Sequence, residues 1–343
     1  MTAPAPQGGA GPARPLFATR MTELLGIAHP ILCGGLMWLS DARYVAACVN
    51  AGGMGFITAR SFPDPGVFRA ELAACAEATG GRPFGVNLYF SPRDEDRASI
   101  TGHAEIALDF GVRIFETAGL PPKDALPALK EAGATVIHKV STVRHALSAE
   151  RLGVDAIALV GAECGGHPGL ALVGTMVQAP LAGSALGVPL SIGGGIGHGS
   201  QIAAALAMGA DAVTIGTRMT VAEEIWAHRA YKERLIAADE ASSRLILATF
   251  RNTYRALDNA DARKVADLEA AGERDFAAYQ PMVAGARQKE AYETGDWERG
   301  VLSMGQSAVF AREIMPVAAI FASLLDEARQ ATHRLAATTL VRA

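Results

Sequence analysis

What most constrains this chain is an alternation. Between Pro30 and Gly216, short apolar runs at 31–37, 55–59, 84–90, 113–117, 135–140, 155–160, 189–193 and 212–216 are separated by longer amphipathic segments. A near-continuous apolar run has to be buried on both faces, and a parallel sheet covered by helices does this. The intervening segments carry matching helix punctuation. Ser40 and Asp41 can cap a helix running to Asn50, with Gly52 and Gly53 to end it. Asp64-Pro65 opens another that closes near Gly80-Gly81, a segment from Lys123 to Glu131 ends at Gly133, and Gly199-Ser200 opens one that ends at Gly209.

Eight such units predict an α/β protein built as a closed (β/α)8 TIM barrel. The competing architecture is an open doubly wound sheet. That fold would place a GxGxxG turn after its first strand, whereas here the glycine-rich turns follow the sixth, seventh and eighth runs, where barrels usually hold phosphate. After Arg218 the regularity stops. Residues 1–17 read as a flexible tail, 18–218 and 301–343 as the barrel, and 219–300 as an inserted helical subdomain, with an apolar helix over 308–328 as the last barrel element. The insertion carries Trp226, Tyr231, Tyr254, Tyr279 and Trp297. It is expected to pack on the barrel or a second copy of the chain, or to cover the mouth.

Composition narrows the ligand class. With 31 basic and 35 acidic residues and no long run of either sign, nothing draws the chain to nucleic acid or an anionic membrane, so a small molecule is the expected partner. Cys33, Cys48, Cys75 and Cys164 are widely spaced and form no CxxC pair, which argues against a disulfide framework and a structural zinc site. The histidines show no HxH or HExxH spacing, so no metal is expected. No stretch reads as a signal peptide or a membrane span, and the expected compartment is the cytoplasm.

In a barrel, the carboxyl ends of the strands converge on one mouth. That rule gathers Met37, Asn87, Lys139, His167, Gly194 and Gly216. His167 follows Gly165-Gly166, which keep side-chain bulk away from a flat ring, and precedes Pro168, which stiffens the loop. Its imidazole is the expected catalytic group, as base or hydrogen-bond donor. Gly193, Gly194, Gly195, Gly216 and Thr217 can offer N–H groups and a hydroxyl to a phosphate, and no Walker-type lysine follows them. The Asn87 amide can both donate to and accept from a heteroaromatic edge, and Lys139 can stabilise an electron-rich ring or an anion. Glu163 either orients His167 or faces solvent. Cys164 reads as a small space-filling thiol, with a nucleophile as the alternative.

One family resemblance spans about Pro30 to Gln306 and beyond. It is carried, in order, by Pro30-Ile31 before a glycine pair, Ala51-Gly52-Gly53-Met54-Gly55, Val86-Asn87-Leu88, Gly161-Ala162-Glu163-Cys164-Gly165-Gly166-His167, Gly193-Gly194-Gly195-Ile196, Gly216-Thr217-Arg218 and Met304-Gly305-Gln306-Ser307. This ordered set resembles the nitronate monooxygenase family, formerly 2-nitropropane dioxygenases, whose members bind FMN non-covalently in a TIM barrel. The resemblance implies FMN phosphate binding at Gly193, Gly194, Gly216 and Thr217. It implies contacts along the isoalloxazine and ribityl chain for Met37, Asn87, Lys139 and Gln306, with Gly35, Gly166 and Gly195 beside them, and it puts His167 on the catalytic histidine. Two positions depart from the pattern: Cys164 stands where alanine is usual, and the first loop reads Cys33-Gly34-Gly35-Leu36-Met37-Trp38, so that Trp38 is placed to line the substrate side. The implied reaction turns alkyl nitronates or nitroalkanes and O2 into a carbonyl compound and nitrite. Similar scaffolds serve as NAD(P)H-dependent flavin reductases of quinones or enoyl thioesters, and a barrel that binds a phosphorylated metabolite without flavin is the third reading. A homodimer is left open.

Overall fold

A computed structural model describes residues 15–91 and 94–338; the predicted tail lies outside the described residues up to position 14. Eight parallel strands close into a barrel in sequential order: β1 Ile31–Cys33, β2 Met54–Thr58, β3 Gly85–Phe90, β4 Ile114–Gly119, β5 Thr135–Val140, β6 Ala156–Val160, β7 Leu190–Gly193 and β8 Ala212–Ile215. Ring closure is explicit in the β1–β8 pairing, with Leu32 opposite Thr214 and Cys33 opposite Ile215. The protein is a TIM barrel, and its strands overlap all eight apolar runs read from the sequence, with β2 starting one residue earlier and β4 running two residues further.

The helices start where short polar side chains meet free N–H groups. Asp41 accepts from Tyr44 N at 2.9 Å and starts the helix Ala42–Asn50, and Asp64 does the same for Pro65–Ala78 through Val67 N. Outward-facing strand residues such as Val86, Phe115 and Val136 pack beneath these helices in the main core. Inward-facing residues fill the barrel itself. Leu32, Met54, Phe56, Ile114, Ile137, Ala156, Ala158 and Ala212 form this inner cluster, closed from below by Met21 and Leu25 of the helix Arg20–Leu25. Leu16 and Phe17, assigned to the tail by sequence, instead pack against the main core, because their apolar surface finds a place to be buried.

Two further expectations are corrected. The last helix runs Val317–Thr338, whereas 306–310 form a short 3-10 turn, because Pro316 disfavours helical backbone at the residue before it. The segment 219–300 is not purely helical. It contains a two-stranded antiparallel sheet, β9 Ser243–Ile246 and β10 Tyr254–Leu257, with Tyr254 opposite Ile246. Ile246, Ala256, Ala262, Val265 and Tyr279 give this region a small core of its own.

Candidate active site

On the β1–β5 side of the mouth the wall is made of side chains. Register sets Asn87 of β3 directly opposite Glu116 of β4, both pointing inward. Glu116 is buried, with 1% of its side chain exposed. One carboxylate oxygen accepts from Asn87 Nδ2 at 2.6 Å and from Gly35 N at 3.1 Å. The other meets Lys139 Nζ at 2.9 Å. An ionised carboxylate can only accept, so Asn87 must turn its NH2 toward Glu116, which leaves its carbonyl oxygen for a ligand. Gly35 is required here by space, since a Cβ would lie 2.6 Å from the Asn87 side chain.

His167 sits in the loop after β6. Gly166 exchanges both backbone hydrogen bonds with Arg255 of β10, at 3.0 and 2.7 Å, so the insertion's small sheet clamps the loop. Arg255 Nε reinforces the clamp by donating to Ala162 O at 3.0 Å. Next along β10, the Tyr254 ring packs edge-on against the His167 ring, with centroids 4.8 Å apart at 88°. The Tyr254 hydroxyl is held by Ser303 Oγ. His167 keeps an exposed face toward the mouth while protein crowds the rest of it, and this desolvation lowers its pKa below the ordinary histidine value. The imidazole is therefore neutral at pH 7 and able to accept a proton.

Glu163 neither orients His167 nor points to solvent. Its carboxylate accepts from Thr175 N at 3.0 Å and Thr175 Oγ1 at 2.9 Å, capping the helix Thr175–Ala185 whose N-cap residue is Gly174 and offers no side chain. Burial pushes the Cys164 thiol up to about 12, against smaller opposing effects of Lys139 and Arg255. It is a protonated filler at neutral pH.

The β6–β8 side of the mouth is backbone. Gly161 N donates to Gly193 O at 2.9 Å, and a Cβ on Gly194, whose φ is +96°, would lie 2.8 Å from Gly161 N. Among the described residues, no backbone carbonyl accepts from the N–H of Gly194, Gly195 or Ile196. Thr217 Oγ1 accepts from Gly305 N at 2.9 Å, which leaves the hydroxyl proton free to donate. Gln306 N reaches Glu163 O at 3.0 Å, but its amide turns outward to Glu240 O at 3.5 Å, so this side chain stands at the rim.

The structure thus brings Gly35, Asn87 and Lys139 into one hydrogen-bonded group, and Gly166, His167, Gly193, Gly194, Gly195 and Thr217 into loops stitched to one another. Gly216 sits beside them, where a Cβ would stand in ordinary van der Waals contact with the Leu36 side chain at 3.7 Å. Met37 is half-buried in the first loop and touches Ser61 Oγ only at 4.0 Å. Trp38 in the same loop adopts φ +69°, and its carbonyl accepts from Trp226 Nε1 at 2.8 Å. Sequence reasoning missed Glu116, Tyr254 and Arg255. A lone charge within the apolar run Ile114-Phe115-Glu116 was a readable signal for the first. For the other two, no local pattern announces a pairing across so much intervening chain.

A parallel barrel with an imidazole, a polar side-chain wall and a backbone cradle at one mouth defines an enzyme of the TIM-barrel class. Residues 18–327 match the nitronate monooxygenase family, and the chain belongs to it. A nitronate monooxygenase from Pseudomonas aeruginosa is 30% identical over 90% of this chain and 99% of its own length. A (3aS,4S,5R,7aS)-5-hydroxy-7a-methyl-1-oxo-octahydro-1H-indene-4-carboxyl-CoA dehydrogenase from Mycobacterium tuberculosis is 34% identical over 64% of this chain, and the match spans 60% of that relative's length. The structure of FabK from Thermotoga maritima superposes with a TM-score of 0.86 at 32% identity, covering 94% of this chain and all of that one.

Proposed function

We propose that the protein is an FMN-dependent nitronate monooxygenase, oxidising alkyl nitronates or nitroalkanes with O2 to a carbonyl compound and nitrite. The observation that carries this reading is a neutral imidazole, His167, on the same mouth as a cradle of unengaged backbone amides. Members of the family are flavoenzymes. The cradle suits a phosphate: the N–H groups of Gly194 and Gly195 are unclaimed by backbone carbonyls, Thr217 keeps a free proton, and bulk at Gly194 is excluded by the nearby Gly161 backbone. In this reading Gly193, Gly194, Gly195, Gly216 and Thr217 hold the phosphate. Gly35, Met37, Asn87, Lys139, Gly166 and Gln306 line the rest of the cofactor.

When bound, FMN supplies the electron acceptor for the substrate and, once reduced, the electrons for O2. The chain's own part is proton handling and positioning. His167 takes the proton from the carbon bearing the nitro group; the C–H bond breaks, an N–H bond forms, and the electron pair passes to the nitro oxygens. Tyr254 and the Gly166–Arg255 clamp hold the ring in place for that transfer. The Lys139 ammonium offers a positive field for the resulting anion.

A second reading, oxidoreduction of a thioester with NAD(P)H, is favoured by the 34% identity to a carboxyl-CoA dehydrogenase. Anaerobic mixing of the purified protein separates the two. Bleaching of flavin absorbance by ethyl nitronate is the expected result; rapid bleaching by NADPH and none by nitronate would replace the first reading with the second. No helix among the described residues is long and apolar enough to cross a membrane.

A further inference from the structure

We infer that Glu116 is a positioning residue of the flavin pocket: its carboxylate holds the Lys139 ammonium in place and tempers its charge at the pocket wall. This rests on the flavin reading above and goes beyond it, because the reading uses Lys139 as a cation and gives Glu116 no part. Glu116 is buried at the inner wall with no water-facing reason to be charged, and all three of its partners, Gly35 N, Asn87 Nδ2 and Lys139 Nζ, belong to the mouth. A buried ion pair seldom stabilises a fold more than apolar residues of the same size would, so a purely structural reason for it is weak. Its geometry has a functional consequence. One ammonium N–H is committed to Glu116 at 2.9 Å, which fixes the direction of the others, and Lys139 itself remains 21% exposed, open to the mouth. The pair as a whole is neutral, so the potential the ring experiences is a balance between two residues on neighbouring strands, β4 and β5.

Sulfite reads that balance directly. Its lone pair forms an S–N bond at flavin N5, and the electron pair displaced into the ring leaves a negative charge there. The adduct is tighter when the pocket is positive. The flavin-loaded enzyme, as purified, is titrated with sulfite and followed by loss of flavin absorbance in the wild type, Glu116→Gln, Lys139→Met and the double variant. Glu116→Gln leaves a lone cation and is expected to bind sulfite roughly tenfold tighter, a change of about 1.4 kcal/mol. Lys139→Met leaves a lone anion and is expected to bind roughly tenfold more weakly. The double variant, neutral again, returns to within a few-fold of wild type. Should Glu116→Gln fail to fold, the weakening in Lys139→Met and its reversal in the double variant carry the same test. Equal sulfite affinities across a set of yellow proteins, or a double variant as weak as Lys139→Met, overturn the inference. A wild-type protein that is colourless and releases no FMN on heating overturns the flavin reading instead, and this inference with it.

Discussion

The two walls of the mouth are built on opposite principles. On the β1–β5 side, polarity is lodged in side chains: Asn87, Glu116 and Lys139 form a charged, mutually satisfied group. On the β6–β8 side it is lodged in backbone. Between Glu163 and Asp211 the chain has no Asp, Glu, Lys or Arg, and its polar resource is the amides of glycine turns. A backbone amide cannot titrate, cannot swing away and loses no rotamer freedom on binding, which suits a permanently anionic anchor. A side-chain wall can be tuned in charge, which suits the reacting end. His167 stands at the seam, supplied by the backbone-rich side but clamped by β10.

The largest effect is expected at that seam. His167→Asn keeps a hydrogen-bonding side chain but removes the base, and kcat/KM with nitroethane is expected to fall by about 10²- to 10⁴-fold while flavin stays bound. In the wild type the acid limb should lie below the ordinary histidine value of about 6.5, because desolvation lowers the His167 pKa and the neutral form persists into mild acid. Steady-state rates across pH check both. Retained turnover in the variant would show that the proton is handled by the side-chain wall, and the division of labour between the walls would have to be redrawn.

Behind the charged wall lies a neutral histidine. His138 is buried on the outer face of β5, bonded to Thr117 Oγ1 at 2.8 Å, and burial lowers its pKa to about 4. The unfolded chain takes up a proton near pH 6.5 and the native state does so only near pH 4, so the stability from the neutral form is complete above 6.5 and is lost as pH falls toward 4. That loss amounts to about 3 kcal/mol. Urea unfolding at pH 7 and pH 4.5 should therefore show a smaller acid loss in His138→Gln than in wild type. An identical loss would mean that the acid sensitivity comes from elsewhere.

On the backbone wall the prediction is steric. At Gly194, φ is +96° and a Cβ would stand 2.8 Å from Gly161 N, so Gly194→Ala must displace one of two packed turns. Strain of this kind costs about 1–3 kcal/mol, and FMN affinity is expected to fall by about tenfold to a hundredfold, read from quenching of FMN fluorescence on rebinding to apoprotein. Turnover of the fraction still loaded should be nearly normal. A variant with full affinity and poor turnover would assign Gly194 to the chemistry and not to the anchor.

These contrasts also explain what the sequence could reveal. The barrel was legible because burial on both faces writes itself into each strand as an apolar run, and because Asp41 and Asp64 mark helix starts with their own side chains. The glycine wall was legible for a related reason: Gly193, Gly194 and Gly195 are adjacent residues, so the turn they form is local in the chain. Glu116 acts through partners in the loop after β1 and on β3 and β5, and only the folded register reveals that they meet. Tyr254 and Arg255 were further out of reach, since the segment holding them was read as helical and their strand pairs with a loop formed far earlier in the chain.

The smallest effect, and the sharpest test of the uncharged wall, is at Cys164. If that wall contributes only shape and amides, its one thiol must be inert. Desolvation raises the Cys164 pKa to about 12, and although Lys139 and Arg255 pull the other way, burial prevails, so almost no thiolate exists at pH 7. Serine replaces sulfur with a smaller polar atom in a tight loop and should leave kcat and its pH profile within about two-fold of wild type, since no proton or electron pair passes through the position. Iodoacetamide should then leave wild-type activity intact. Inactivation of the wild type but not of Cys164→Ser would place a nucleophile three residues from His167, and the backbone wall would then take part in the reaction.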